Sequence, residues 1–117
     1  MEELNAAQIM EHYSGVPNAD VSSAKVFVST DGSAREFSII EANNSQSADS
    51  IQTALSSYCN ELAEKYRVEN AEEYERLRGY AIRRTRNYVI LTISDSIRTG
   101  NQVVDSYLDK INYDKRS

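Results

Sequence analysis

Apolar residues at spacings of three and four open the chain and predict a short helix over Glu2–Tyr13. The acidic residues Glu2 and Glu3 would lie in its first turn, where the helix dipole favours negative charge. Gly15 and Pro17 come directly after this segment and are typical of a helix end. The predicted inward stripe consists of Ala6, Ile9, Met10 and Tyr13.

A β-hairpin is predicted next. Strand-forming residues fill Ala24–Thr30, and Asp31-Gly32 follows, a pair that tolerates the positive φ angles of a tight turn. Strand character resumes over Arg35–Ala42, where two sets of residues alternate. Because Ile39 and Ile40 are adjacent and both apolar, the pattern does not decide which set faces the core.

A long apolar stripe predicts a second helix from about Ala48 to about Tyr66, with Ser47 as a reasonable N-cap and Asp49 close behind it. The residues of the stripe lie three and four apart over more than four turns, so this helix should cover a large part of the core. Its inward positions are Ile51, Leu55, Tyr58, Leu62 and Tyr66, widened by Ala54, Cys59 and Ala63.

A third helix is predicted to begin at Asn70, with Glu73 three residues later in a loose version of the capping box. The position of its end stays open in the sequence. Gly79 is a candidate stop, and Tyr80–Arg84 is also compatible with a short strand.

The strongest strand signal is Asn87–Asp95, whose continuous apolar run Val89–Leu91 is typical of a central strand. Thr99–Gln102 then fits a capping box, and apolar spacing predicts a closing helix. The tail Asp114–Ser117 is polar. The closing helix is marked by Val103, Val104, Tyr107, Leu108 and Ile111.

These elements predict an α+β fold in the order α-β-β-α-α-(β)-β-α. We expect a small antiparallel sheet of three to four strands, packed on one face by helices. The chain has 117 residues, 40% of them hydrophobic and 26% charged, which is ordinary for one globular domain. Residues 1–16 and 114–117 should be peripheral to that single domain.

Composition narrows the function classes. The net charge of −5 argues against a general nucleic-acid binder and against attraction to an anionic membrane surface. No apolar run approaches the roughly 18 residues of a membrane span, and no signal peptide is visible. One cysteine and one histidine rule out an internal disulfide, a Cys-rich metal site and a His-pair metal site. We therefore expect no metal and no cofactor.

Candidate catalytic residues are few, so we expect a protein that is not an enzyme. Cys59 and His12 form the one nucleophile and base pair available. Cys59 lies near an apolar helical stripe, where a small buried hydrophobic residue is the usual role. His12 lies near a helix C-terminus, where the dipole stabilises a cation. Helix capping accounts for the neighbouring carboxylates Glu72 and Glu73. A solvated helix face accounts for Asp105 and Asp109, which lie four residues apart.

One candidate binding surface remains, formed by Arg83, Arg84 and Arg86 with Tyr80 and Tyr88. Arginine with exposed aromatic residues is the combination that grips single-stranded nucleic acid and other polyanions. A helix end followed by a solvated strand face explains the same residues without a ligand, and this reading is favoured. Two further arginines, Arg76 and Arg78, precede the surface.

Over about Val21 to Leu108 the chain resembles an uncharacterised domain family of secreted lipoproteins from Gram-positive bacteria, mostly of the clostridial type. In that family a glycine often precedes the Asn-Tyr-Val run; Arg86 stands there in this chain, which weakens the expectation of a tight turn. The motifs that carry the resemblance are Glu36–Ala42, the long helix ending at Tyr66, Glu73–Glu75 and Asn87–Asp95.

The resemblance implies a lipid-anchored, extracytoplasmic domain whose leader is not part of this sequence; it implies no activity and no catalytic residue. We expect a binding or interaction role at the cell envelope, with an unknown protein or an anionic envelope polymer as partner and the membrane contacted only through the anchor. Nucleic acid is disfavoured by charge. The alternative is an intracellular regulatory or nucleic-acid-associated module that uses Arg83, Arg84 and Arg86.

Overall fold

The computed structural model describes residues 1–94 and residue 105. The predicted closing helix, apart from Asp105, lies outside the described residues, as do its capping box and the polar tail. Within the described part, the elements in chain order are β1 (Glu2–Glu3), α1 (Ala6–His12), a 3₁₀ turn (Asn18–Asp20), β2 (Val21–Val28), β3 (Glu36–Ala42), α2 (Ser45–Glu69), α3 (Ala71–Leu77), β4 (Ala81–Thr85) and β5 (Tyr88–Ile93).

The strands form one five-stranded antiparallel sheet in the order β1-β2-β3-β5-β4. The α+β class and the antiparallel sheet are as predicted, but the strand count is five rather than three to four. The additional strand is β1, and the optional strand near Tyr80–Arg84 does form, as β4. The prediction that Asn87–Asp95 contains a central strand is confirmed, because β5 lies between β3 and β4.

One face of the sheet carries the main core. Since side chains alternate along a strand, the register places Ile40 of β3 and Val89 of β5 side by side on this face. The apolar stripe of α2 packs against them, so α2 lies across the sheet as its cover. The fully buried residues that α2 adds are Ala48, Ile51, Leu55 and Cys59.

The opposite face holds a smaller apolar cluster, in which Phe37 and Ile90 are buried. Phe27 of β2 and Ile39 of β3 pack against them. On the same face, Arg83 places its Nη2 atom 3.1 Å from the Asp105 carboxylate.

The N-terminal prediction was partly wrong. Glu2 and Glu3 do not begin a helix; they pair with Val28 and Phe27 as strand β1. The helix starts only at Ala6, because Asn5 is an N-cap whose side chain accepts from the Gln8 N–H, while the Gln8 side chain accepts from the Asn5 N–H. This reciprocal cap fixes the start, so no acidic residue lies in the first turn.

The start of α2 also differs from the prediction. Asn44, and not Ser47, is the N-cap, and its side chain accepts from the Ser47 N–H at 2.8 Å. Ser47 is instead buried and donates to Asp20 Oδ1 at 2.9 Å. The predicted cap of α3 is confirmed, because the Asn70 side chain accepts from the Glu73 N–H at 3.3 Å.

The two predicted turns behave differently from expectation. Asp31-Gly32 is part of a longer loop between β2 and β3, in which Gly32 alone has a positive φ of 81°. Between β4 and β5 a two-residue turn forms in spite of Arg86, which adopts a φ of 53°. The expectation that Arg86 weakens this turn was therefore wrong. The strand pairing on both sides holds Arg86 in the left-handed region, at a steric cost of about 1 kcal/mol.

We predict that Arg86→Gly raises the free energy of unfolding by about 0.5–1 kcal/mol, because glycine adopts this φ without the steric cost. Chemical denaturation followed by circular dichroism measures the change. The matched control is Arg86→Ala, which also removes the charge but keeps the β-carbon and should bring no gain. Equal stability changes in the two variants would contradict the explanation.

Candidate functional site

The structure separates the residues of the predicted Arg/Tyr surface. Arg83 and Arg84 are neighbours in β4, so their side chains lie on opposite faces of the sheet. Arg84 reaches the start of α2, where its guanidinium pairs with Asp49 and donates to the Ser45 carbonyl oxygen at 3.0 Å. Arg83 pairs with Asp105 on the other face. Both cations are thus engaged in intramolecular ion pairs.

The other three residues are divided between the two ends of the hairpin. Arg86 is exposed in the turn, and Tyr88 lies beside it, paired with Thr85. Tyr80 directly precedes β4, at the end of the hairpin away from the turn, and packs against the main core. The structure therefore brings Arg86 and Tyr88 together but does not form one surface from all five residues. A binding role for them stays a prediction.

A different cluster surrounds the carboxylate of Glu36, which is the first residue of β3 and only 4% exposed. Tyr13 donates its hydroxyl to Glu36 Oε2, and Tyr58 donates its hydroxyl to Oε1 at 2.7 Å. His12 Nε2 lies 3.0 Å from the same Oε1. We call these four residues the Glu36 cluster. It joins the C-terminal end of α1, the start of β3 and the middle of α2.

The rings of the Glu36 cluster also pack against one another. Tyr13 and Tyr58 meet edge to face with centroids 5.0 Å apart, and the His12 ring lies 4.8 Å from Tyr13. His12 Nε2 is 3.0 Å from the Tyr58 hydroxyl as well as from Glu36. Since the one hydroxyl proton of Tyr58 points to Glu36, His12 Nε2 must carry a proton of its own to donate to the Glu36 or the Tyr58 oxygen. Hydrogen-bond donors from these three residues therefore reach both oxygens of the Glu36 carboxylate.

Burial and the Glu36 charge both favour the neutral forms of the groups nearby. Burial raises the pKa of Tyr13 well above its ordinary value, and the Glu36 carboxylate raises it further. The same two causes, in the same order, raise the pKa of Tyr58. Burial and then Glu36 raise the pKa of Cys59 to about 12. These groups are therefore uncharged at neutral pH.

The chemistry of the cluster follows from these shifts. A catalytic thiol or hydroxyl nucleophile needs a lowered pKa or a base that removes its proton. Cys59 has a raised pKa and is wholly buried, and the tyrosine hydroxyls act as donors to Glu36. Residues 1–94 and 105 contain no group of three His, Cys, Asp or Glu side chains placed to hold a metal ion. The hydrogen bonds of the cluster link the end of α1, β3 and α2.

A groove lies beside the Glu36 cluster, between α1 and the outer edge of β2. Its volume is about 530 Å³. Tyr13 belongs to both features, because its ring lines the groove while its hydroxyl is bonded to Glu36. Apolar side chains dominate the lining, and the largest of them are Leu4, Ile9, Met10, Val16, Val21 and Ile40.

The segment that forms the groove is acidic. Residues 2–24 include the carboxylates Glu2, Glu3, Glu11 and Asp20 but no lysine or arginine. Met10 on the groove wall is 57% exposed. Methionine adapts to varied contacts and is common at binding surfaces. The α1/β2 groove thus has an open apolar lining, and the segment that forms it carries four carboxylates, none of which lines the groove, before the first lysine at Lys25.

The architecture defines a small α+β domain in which an antiparallel sheet is covered on one face by helices. The chain belongs to the family described as Domain of unknown function (DUF4358), which matches residues 1–94. No curated protein and no solved structure matches the chain. Within the described residues, none of the helices has the length and apolar character needed to cross a membrane.

Neither the Glu36 cluster nor the α1/β2 groove was predicted from the sequence. His12 does end α1, as expected, but its contact with Glu36 depends on the fold. The alternation of β3 left two possible inward faces, and the one that faces the main core proved to be that of Glu36, Ser38 and Ile40. A carboxylate at an inward position, in a chain with eight tyrosines to donate to it, was the available signal.

We predict that stability falls as pH rises above about 9. In the unfolded chain Cys59 and Tyr58 ionise near 9 and 10, while their raised folded-state pKa values keep them neutral. The folded state then holds more protons, so each such group removes up to about 1.4 kcal/mol per pH unit above its unfolded pKa. Urea unfolding at pH 8 to 11 measures this slope.

The variant Tyr58→Phe tests the origin of the slope, because it removes one of the groups. Its stability should fall less steeply than that of the wild type between pH 10 and 11. The control Tyr74→Phe removes a tyrosine hydroxyl from α3 and should keep the wild-type slope. An unchanged slope in Tyr58→Phe would show that Tyr58 is not one of the groups responsible.

Proposed function

We propose that this protein is a non-enzymatic binding domain that takes a basic segment of a partner protein into the α1/β2 groove. The observation that carries the proposal is the groove itself, about 530 Å³ in volume, apolar in lining and open to solvent. Pockets of this size commonly bind ligands, and their apolar lining supplies most of the free energy of binding. The exposed Met10 side chain would be covered by the partner.

Charge supports a basic protein segment over the other candidate partners. The carboxylates of residues 2–24 would repel an anionic envelope polymer and would attract lysine and arginine. A second copy of this chain is disfavoured for the same reason, since each copy has a net charge of −5. The polymer hypothesis also needs free arginines, yet Arg83 and Arg84 are paired with Asp105 and Asp49, and of the three predicted arginines only Arg86 is exposed in the turn.

The proposed place of action is the outer face of a bacterial membrane, with a lipid anchor upstream of the domain. Its support is the sequence resemblance to domains of secreted lipoproteins. The test is the full-length gene together with cell fractionation. A signal peptide ending in a lipid-modified cysteine and recovery in the membrane fraction are expected, whereas a cytosolic product without such a peptide would favour the intracellular alternative.

The binding role is tested by selecting peptides from a random phage-displayed library on the purified protein. We expect enriched sequences to combine apolar residues with lysine or arginine. Met10→Glu should weaken their binding at least ~10-fold, because it places a charge in the apolar groove.

The matched control is Val68→Glu, which adds the same charge at a residue of α2 that is 79% exposed and does not line the groove. Its peptide binding should stay at the wild-type level. The proposed function is wrong if no peptide is enriched, or if both variants lose binding equally.

A further inference from the structure

The outer edge of β2 is only partly covered by β1. The two residues of β1 pair with Phe27 and Val28, and the Leu4 N–H donates to the Val26 carbonyl oxygen at 2.9 Å. Beyond Leu4 the chain turns away and enters α1. Within residues 1–94 and 105, no strand pairs with β2 on this side between Val21 and Lys25.

Ala24 is the residue whose backbone faces this open edge. Backbone N–H and C=O groups of alternate residues point to the same side of a strand. Since the Val26 carbonyl points towards β1, the N–H and C=O groups of Ala24 point outward as well. The alternation ends at Ser22, where a β-bulge interrupts the pairing with β3. The edge therefore offers one donor and one acceptor at the level of Ala24.

The open edge forms the floor of the α1/β2 groove. Val21, Ser22 and Ala24 line it on the β2 side, and Ile9 and Met10 line it from α1. The uncovered stretch Val21–Lys25 spans about 16 Å at the usual rise of a strand, enough for about four or five residues of a partner. An exposed edge invites strand addition unless charge or a bulge blocks it. Here Lys25 and the bulge at Ser22 bound the open stretch, and the apolar lining beside Ala24 favours addition between them.

We propose that the partner segment binds by adding a strand to β2, in line with β1 and antiparallel to β2. This rests on the proposed function and names its mode of binding. Main-chain hydrogen bonds to Ala24 supply affinity that does not depend on sequence, and alternate side chains supply specificity. The side chains next to Ala24 enter the groove and are apolar, while those between them point to the opposite face.

The same arrangement defines the charge pattern of the segment. The side chains that point away from the groove lie on the face that carries Glu3 of β1, paired with Phe27, and Glu41 of β3, which accepts from Ser23. Lys25 of β2 lies on the same face, between these two carboxylates. A segment that alternates valine-like residues with lysine or arginine therefore places its apolar side chains in the groove and its cations on a face where two carboxylates flank one lysine.

The probe is the capped peptide Lys-Val-Lys-Val-Lys-Val, added to the full chain and followed by amide hydrogen exchange detected by NMR. The Ala24 N–H should exchange at least ~10-fold more slowly with the peptide bound. In an antiparallel pairing the valine N–H groups face β2, so N-methylation of the three valines should abolish binding. N-methylation of the lysines should leave it intact. The peptide Glu-Val-Glu-Val-Glu-Val should not bind.

The outcomes separate the binding mode from the proposed function. If peptides bind and Met10→Glu weakens them, but Ala24 exchange and the N-methylated peptides show no effect, strand addition is overturned and groove binding stands. If neither this probe nor any library peptide binds, both are overturned. If the Ala24 N–H is already protected without peptide, the chain itself or a second copy fills the edge, and the partner strand proposed here is wrong.

Discussion

The burial of one carboxylate, that of Glu36, sets the position of the N-terminal part of this domain. A carboxyl group at 4% exposure is stable only when hydrogen-bond partners replace the water it has lost. Tyr13, Tyr58 and His12 are those partners; His12 ends α1, Tyr13 follows it directly, and Tyr58 lies in α2. The requirement to satisfy Glu36 therefore ties both helices to the sheet.

Helix α1 depends on this tie more than the other elements do. It has only seven residues and none of them is buried, whereas α2 buries five of its side chains, four of them in the main core. A helix this short has little stability of its own. Tyr13, directly after its last residue, is its buried anchor. Because α1 is also one wall of the α1/β2 groove, the Glu36 cluster maintains the shape of the proposed binding site.

A second buried carboxylate, that of Glu73 in α3, ties its helix to the loop that precedes β3. Burial alone would raise the pKa of Glu73, but hydrogen bonds from Arg76 and from the Ala34 N–H at 2.5 Å outweigh it and lower the pKa below its ordinary value.

Glu73 was predicted only as part of a helix cap. What local patterns predict well here are the elements with long periodic or continuous apolar runs, such as α2 and β5. The N-terminus was misread because the Asn5 and Gln8 cap is weaker in sequence than the apolar stripe. The contacts of Glu36 join residues 22 to 24 positions apart, so no local pattern shows them.

The most direct test of whether Glu36 holds α1 in place is amide hydrogen exchange in Glu36→Ala, with Glu41→Ala on the same strand as the control. Loss of the carboxylate leaves the Tyr13 and Tyr58 hydroxyls without their acceptor, at a cost of roughly 2–4 kcal/mol. The Tyr13 N–H, which donates to the Ile9 carbonyl oxygen, should lose protection far more than that of Ile90 in β5. Protection at Tyr13 that is the same in both variants would contradict the claim that Glu36 holds α1 in place.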